Sequence, residues 1–150
     1  THYHMYDYVV KELPAVLAAS DLPLDTANCS IMGHSMGGHG ALTIALKNPG
    51  IYKAVSAFSP ICSPLNCPWG EKALGRYIGS NKADWEQYDT CALLAQAKEK
   101  LHILVDQGQD DGFLVNHRYN DDGTQAVGVK SRVAAFCAVA KFKLQLFQLE

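Results

Sequence analysis

No apolar run approaches the 18 or so residues that cross a bilayer, and no charged-then-apolar leader pattern opens the chain. Also missing are a CxxC pair and any basic patch interleaved with aromatics. Each absence removes a class of function: a helical membrane span, a zinc ribbon and a nucleic-acid surface are not expected. The five cysteines (Cys29, Cys62, Cys67, Cys91 and Cys137) are odd in number and follow no disulfide-framework spacing. Cys62 and Cys67 stand close together but have no histidine at a partner spacing, so they read as buried or loop thiols rather than metal ligands. A reducing cytoplasm is the expected compartment. What is present is an ordinary globular composition: 150 residues, 48% hydrophobic, 19% charged, net charge -2. A domain of that size buries about 68–70% of its unfolded surface.

Along the chain, helical and strand patterns alternate. Met5, Val9, Leu13, Val16 and Leu17 fall at steps of three and four, which predicts a helix with one apolar face. Pro14 is expected to kink it or end its first half. A short apolar run, Cys29 to Met32, reads as a buried strand, and a helix-like run from Ala41 to Leu46 stops at Asn48, Pro49 and Gly50. A second strand is expected near Lys53 to Phe58. "SPICSPLNCPWG" (59–70), with three prolines, reads as loop. "EKALGRYIG" and "CALLAQAKEK" read as helices joined through "DWEQYD". "LHILVDQGQDD" reads as a third strand that turns polar at its end, followed by a helix over Ser131–Ala140 and a strand-like alternation at Phe142, Leu144 and Leu146. The pattern predicts a parallel sheet covered by helices.

Between the first strand and its helix lies "IMGHSMGGHG", residues 31–40. Gly33-His34-Ser35-Met36-Gly37 is a G-x-S-x-G motif, and in strand–turn–helix context it predicts a nucleophile elbow. A turn sharp enough to present Ser Oγ at the sheet edge brings residues two positions away into near contact, so glycine is expected to be required at 33 and at 37. Gly38 and Gly40 are expected to let the helix lie close to the sheet. The alternative, a phosphate-binding loop, lacks the lysine of a Walker motif and the spacing of a dinucleotide fingerprint. A serine hydroxyl needs a base, and the base needs an orienting acid. In this topology the order is Ser, then Asp or Glu, then His, and Asp110 and Asp111 both stand where the third strand ends.

"YHMYDYVVKELP", "SIMGHSMGGHGALTIALKNPG", "YKAVSAFSPICSP", "CPWGEKALGRYIG" and "ILVDQGQDDGFL" together resemble the S-formylglutathione hydrolase (esterase D) family, nearly without a break from Tyr3 to Leu114. The resemblance implies an α/β-hydrolase fold, of which this chain is the C-terminal part of the helix-covered parallel sheet. It implies a serine hydrolase that cleaves the thioester S-formylglutathione to glutathione and formate through an acyl-enzyme on Ser35, with no cofactor and no metal. It assigns the triad acid to Asp111, one oxyanion-hole donor to the Met36 N–H, and a possible place in the substrate pocket to Trp69. The family's "GYDHS"-like histidine stretch has no counterpart here. His117, the only histidine after Asp111, lies in "VNHRYNDDGTQAVG", where the resemblance lapses. Residues 1–150 are therefore expected to form a partial esterase D-like domain without the N-terminal strands and the C-terminal histidine segment, and to be nearly inactive alone.

His34 and His39 are held beside the serine by the turn and are expected to hydrogen-bond around the site rather than to act as base. His102 alternates with apolar residues and is expected in the core or at an edge. Two readings stand against the thioesterase: a broad carboxylesterase, which would share the elbow, and a non-catalytic fragment or binding module. The expected partner is a small molecule, with a homodimer left open and neither nucleic acid nor membrane expected.

Overall fold

The computed structural model describes residues 4–98, 101–108, 111, 113 and, as backbone, 145–147. Asp110, His117 and the expected Ser131–Ala140 helix lie outside the described residues. Four strands pair in the order β1 (Ile31–His34), β2 (Ala54–Phe58), β3 (His102–Gly108) and β4 (Gln145–Phe147). Every pairing is parallel; Gly33 stands opposite Ala57, Phe58 opposite Asp106, and Asp106 opposite Gln145. All C-terminal strand ends therefore lie along one edge of the sheet, where an open α/β sheet carries its site. The first strand begins and ends two residues later than the apolar run suggested, because Gly33 and His34 complete the ladder.

The helices are α1 (Met5–Asp7), α2 (Leu13–Ala18), α3 (Met36–Lys47), α4 (Pro68–Tyr77) and α5 (Thr90–Gln96). Helix α3 lies on one face of the sheet. Ala41, Leu42 and Ala45 pack there with Val55 and Ala57 of β2, Val105 of β3 and Cys62, all nearly or fully buried. The two alanines let the helix approach closely, and Leu42, Val55 and Val105 each contribute about 1.5–3 kcal/mol by leaving water. At the helix end Asn48 Nδ2 donates to Ile44 O at 2.7 Å and to Tyr6 Oη at 2.8 Å. The Lys47 ammonium sits 4.8 Å from the ring centroids of both Tyr6 and Tyr88. These contacts tie the N-terminal helices to α3.

Pro14 neither ends nor simply kinks the first helix. A π-helical turn, Tyr8–Glu12, joins α1 to α2, and the Leu13 N–H reaches Tyr8 O across it. A proline one residue later lacks an N–H and would crowd the carbonyl four residues back, and the widened turn absorbs that mismatch. The expected apolar face is largely uncovered: Met5, Leu13 and Val16 are exposed. The "SPICSPLNCPWG" segment is not all loop either. Pro64–Asn66 form a 3₁₀ turn, and Pro68 opens α4 at a position where a proline's missing N–H costs nothing. "DWEQYD" coils into a further 3₁₀ stretch, Lys82–Tyr88.

The two faces of the sheet differ. Opposite α3, Met32 is 70% and Leu104 41% exposed, and His102 is exposed beside them, not in the core. A shallow depression of about 250 Å³ there is lined by Ala54, Val55, Ser56, His102, Ile103 and Leu104. It lies toward the strand starts, away from the edge that carries Ser35. Among the described residues no helix is long and apolar enough to cross a membrane.

Candidate active site

Ser35 stands between β1 and α3 with φ 55° and ψ -114°. A non-glycine residue held in a sparsely populated conformation like this costs about 1–3 kcal/mol, so the surroundings must enforce it. The Ser35 N–H donates to Phe58 O at 2.8 Å, and the His39 N–H donates to Ser35 O at 3.0 Å, locking the turn to β2 and to the first helical turn. Ser35 occupies the N-cap position yet makes no side-chain capping bond, so its Oγ is not spent on the helix. Met36, with an exposed side chain, is the first helical residue, and its N–H has no partner in the intrahelical ladder.

The glycines divide unevenly. A Cβ on Gly33 would lie 2.2 Å from Gly37 O, so the turn closes only because residue 33 has no side chain. Gly38 is nearly as confined: a Cβ there would meet Gly33 O and Pro60 Cβ at 3.1 Å and Phe58 O at 3.3 Å. At Gly37 and Gly40 a Cβ would meet nothing within 4 Å. The expectation of a required glycine therefore fails at 37, where the backbone itself is what Gly33 accommodates. Gly40 likewise points away from the sheet contact that Gly38 makes.

Asp111 follows β3 by three residues. Its Oδ1 accepts the Phe113 N–H at 2.8 Å, and its Oδ2 accepts Gln107 Nε2 at 3.0 Å. Ser35 and Asp111 thus share the same sheet edge, following β1 and β3, which stand roughly 10 Å apart with β2 between them at the usual strand spacing. Sequence reasoning overlooked two residues here. Gln107 is fully buried at the last inward-facing position of β3, after Ile103 and Val105, and a polar residue breaking that apolar alternation was the available signal. Ser59, at the end of β2, has φ 45°, and its N–H donates to Asp106 O at 2.6 Å. No residue pattern marks Ser59.

The histidines next to the serine have other places. His34 is exposed at the end of β1. His39 Nε2 donates to Tyr88 O at 2.7 Å, bridging α3 to the 3₁₀ stretch. Burial holds the His39 imidazole below its ordinary pKa, opposed by the Tyr88 carbonyl and the charge of Asp89. Trp69 lies in the first turn of α4, 47% exposed. Its surroundings are rigid. Buried Cys67 caps α4 by accepting the Gly70 N–H at 3.4 Å, with burial raising the thiol pKa, and a Cβ on Gly70 would lie 1.8 Å from Pro64 O. Buried Asp89 accepts Ser63 Oγ at 2.8 Å, the Leu65 N–H at 3.3 Å and the Ala92 N–H at 3.0 Å, which fixes the segment after β2 against α5. Among the described residues no cluster of three or more histidine, cysteine or carboxylate side chains could hold a metal ion.

The family model described as "Putative esterase" matches residues 1–143. An S-formylglutathione hydrolase of Rattus norvegicus is 48% identical over 134 residues, spanning 89% of this chain and 47% of that protein. One of Arabidopsis thaliana is 56% identical over 113 residues, 75% of this chain and 40% of that protein. The solved structure of an S-formylglutathione hydrolase from Agrobacterium tumefaciens superposes with a TM-score of 0.74 at 38% identity, covering 98% of this chain and 49% of that one. The sheet and its helices are those of an α/β-hydrolase fold. The chain spans about half the length of the curated relatives it matches.

Proposed function

From the premise that this chain belongs to that esterase family, we propose that the whole protein is a serine hydrolase of the thioester S-formylglutathione, with Ser35 as nucleophile. The observation that carries the reading is the strained Ser35 at the strand–helix turn, its Oγ outside the helix cap and the Met36 N–H beside it. In this reading Ser35 Oγ loses its proton to a histidine base as it attacks the thioester carbonyl. The Met36 N–H stabilises the oxyanion that forms, together with a donor from outside the described residues. Collapse of the tetrahedral intermediate breaks the C–S bond, releases glutathione and leaves formyl-Ser35. Water then attacks the ester and releases formate.

Asp111 is assigned the role of orienting the base and stabilising its imidazolium, as a triad acid does. We place the base itself on a histidine outside the described residues. Trp69, half-exposed on a rigid helix start, is assigned to the substrate pocket. The cytoplasm is the compartment this reading takes, on the cysteine pattern.

The test is labelling of the full-length protein with a fluorophosphonate probe, which is expected at Ser35 and lost in Ser35→Ala. Labelling that survives the substitution would overturn the assignment. Comparing kcat/KM for S-formylglutathione with that for a simple aryl acetate separates the thioesterase from a broad carboxylesterase, since both would share the elbow and differ only in the pocket.

A further inference from the structure

We infer that Gln107 is a positioning residue: the fully buried end of β3 holds the Asp111 carboxylate in its catalytic rotamer through the side-chain amide. The inference deepens the triad reading above and rests on it. Gln107 is 0% exposed and sits in the inward-facing row of β3, behind Ile103 and Val105. The amide Nε2 donates to Asp111 Oδ2 at 3.0 Å and to Gly108 O at 3.2 Å. Two acceptors on one nitrogen assign the amide's nitrogen end to Asp111, because a flipped amide would set oxygen against oxygen.

The opposite carboxylate oxygen is held by the backbone N–H of Phe113. Asp111 is therefore gripped at both oxygens by two independent anchors, one on the rigid strand and one on the turn itself. The strand anchor is the one that can transmit the geometry of the sheet, since the turn moves with Asp111 and Gln107 does not. A carboxylate that must meet an imidazole N–H at a fixed angle gains from having its torsion set beforehand. The arrangement also carries a cost: Gln107 Oε1 is buried with no hydrogen-bond partner among the described residues. A leucine of similar size would avoid that cost. A side chain chosen for packing would not be an amide, and one chosen to hold a carboxylate would.

The experiment uses the full-length protein and compares Gln107→Leu in two backgrounds, with Asp111 intact and with Asp111→Ala. In the intact background kcat is expected to fall about tenfold to a hundredfold, the scale of a misplaced catalytic group, with KM within about twofold and Tm unchanged or higher. In the Asp111→Ala background the same substitution should change kcat by less than about twofold, because its route to the chemistry is already gone. A structural role would instead lower Tm and reduce activity by the same factor in both backgrounds, and that result overturns the proposal. Gln107→Glu, which keeps the shape and places a second carboxyl against Asp111, should cost at least as much in kcat as Gln107→Leu. Activity equal to the natural protein in both variants would also overturn it. An Asp111→Ala protein with unimpaired kcat would overturn the triad reading itself, and is told apart because it needs no change at Gln107.

Discussion

The turn that carries Ser35 and the turn that carries Asp111 end neighbouring parts of one sheet, yet they are built by opposite means. The Ser35 turn, besides its two backbone hydrogen bonds, is held by close contact. Gly33 lies so close to Gly37 that a single added carbon would overlap the helix backbone, and the positive φ of Ser35 is enforced from both sides. The Asp111 turn is held by donated hydrogen bonds from Gln107 and Phe113. The first is broken by adding atoms and the second by removing a donor. A nucleophile needs its backbone in an unusual place, and here close packing imposes it together with the Ser35 and His39 backbone bonds. An orienting carboxylate needs only its side-chain torsion fixed, and hydrogen bonds suffice.

Substitutions can test that contrast. The largest effect is expected for Asp111→Ala, which should reduce kcat of the full-length protein by about 10⁴ while substrate binding is kept, as for the acid of other triads. Steady-state kinetics on S-formylglutathione would measure it, and a loss confined to KM would break the assignment. Next comes Gly33→Ala. The overlap with Gly37 forces the first turn of α3 outward, which should cost about 1–3 kcal/mol in urea unfolding and about a hundredfold in kcat, since Ser35 moves with it.

A smaller effect concerns His39, which lies just behind the Ser35 turn. Its folded pKa is depressed by burial, so the unfolded chain binds more protons at moderately acidic pH. Its contribution is fully present above the unfolded value of about 6.5 and is lost as the pH falls from there through the lower folded value. His39→Gln, which can still donate to the Tyr88 carbonyl, should flatten the fall in stability on that acid side. Unfolding midpoints at pH 5 and pH 8 would show it.

The smallest effect is at the second glycine of the motif. With open space around its absent side chain, Gly37→Ala should leave kcat within about twofold and raise stability by up to about 1 kcal/mol through its helix propensity. A large loss at Gly37 and a mild one at Gly33 would reverse the account of how the turn closes.

The same contrast explains how much could be read from the sequence. The strand–turn–helix around Ser35 was legible because the steric demand at Gly33 leaves a mark in residue type, after an apolar run and before a helix. The alternation of strands and helices was legible for a similar reason, as was the polar end of β3. What the sequence hid was of another kind. That Gly33 is confined and Gly37 is not depends on which backbone atoms face each other across the turn. The π turn before Pro14 and the helical start at Pro68 are backbone solutions to proline that composition does not specify. The Gln107 grip depends on how the turn after β3 folds Asp111 back onto the strand end, and the positive φ of Ser59 stands beside a partner, Asp106, that only the sheet brings near. Periodicity drew one apolar face through Met5, Val9, Leu13, Val16 and Leu17, but the π turn interrupts that helix and leaves Met5, Leu13 and Val16 exposed.

Two backbone hydrogen bonds continue the sheet beyond its strands: Ser35 N–H to Phe58 O, and Ser59 N–H to Asp106 O. Together they form a staircase with one step from β1 to β2 and a second from β2 to β3. The spacing from the Ser35 turn to β3 is therefore a ruler marked in main-chain units, and the Asp111 carboxylate, beyond the end of β3, is placed from it by the Gln107 side chain. The ruler itself can be lengthened only by breaking one of its two steps.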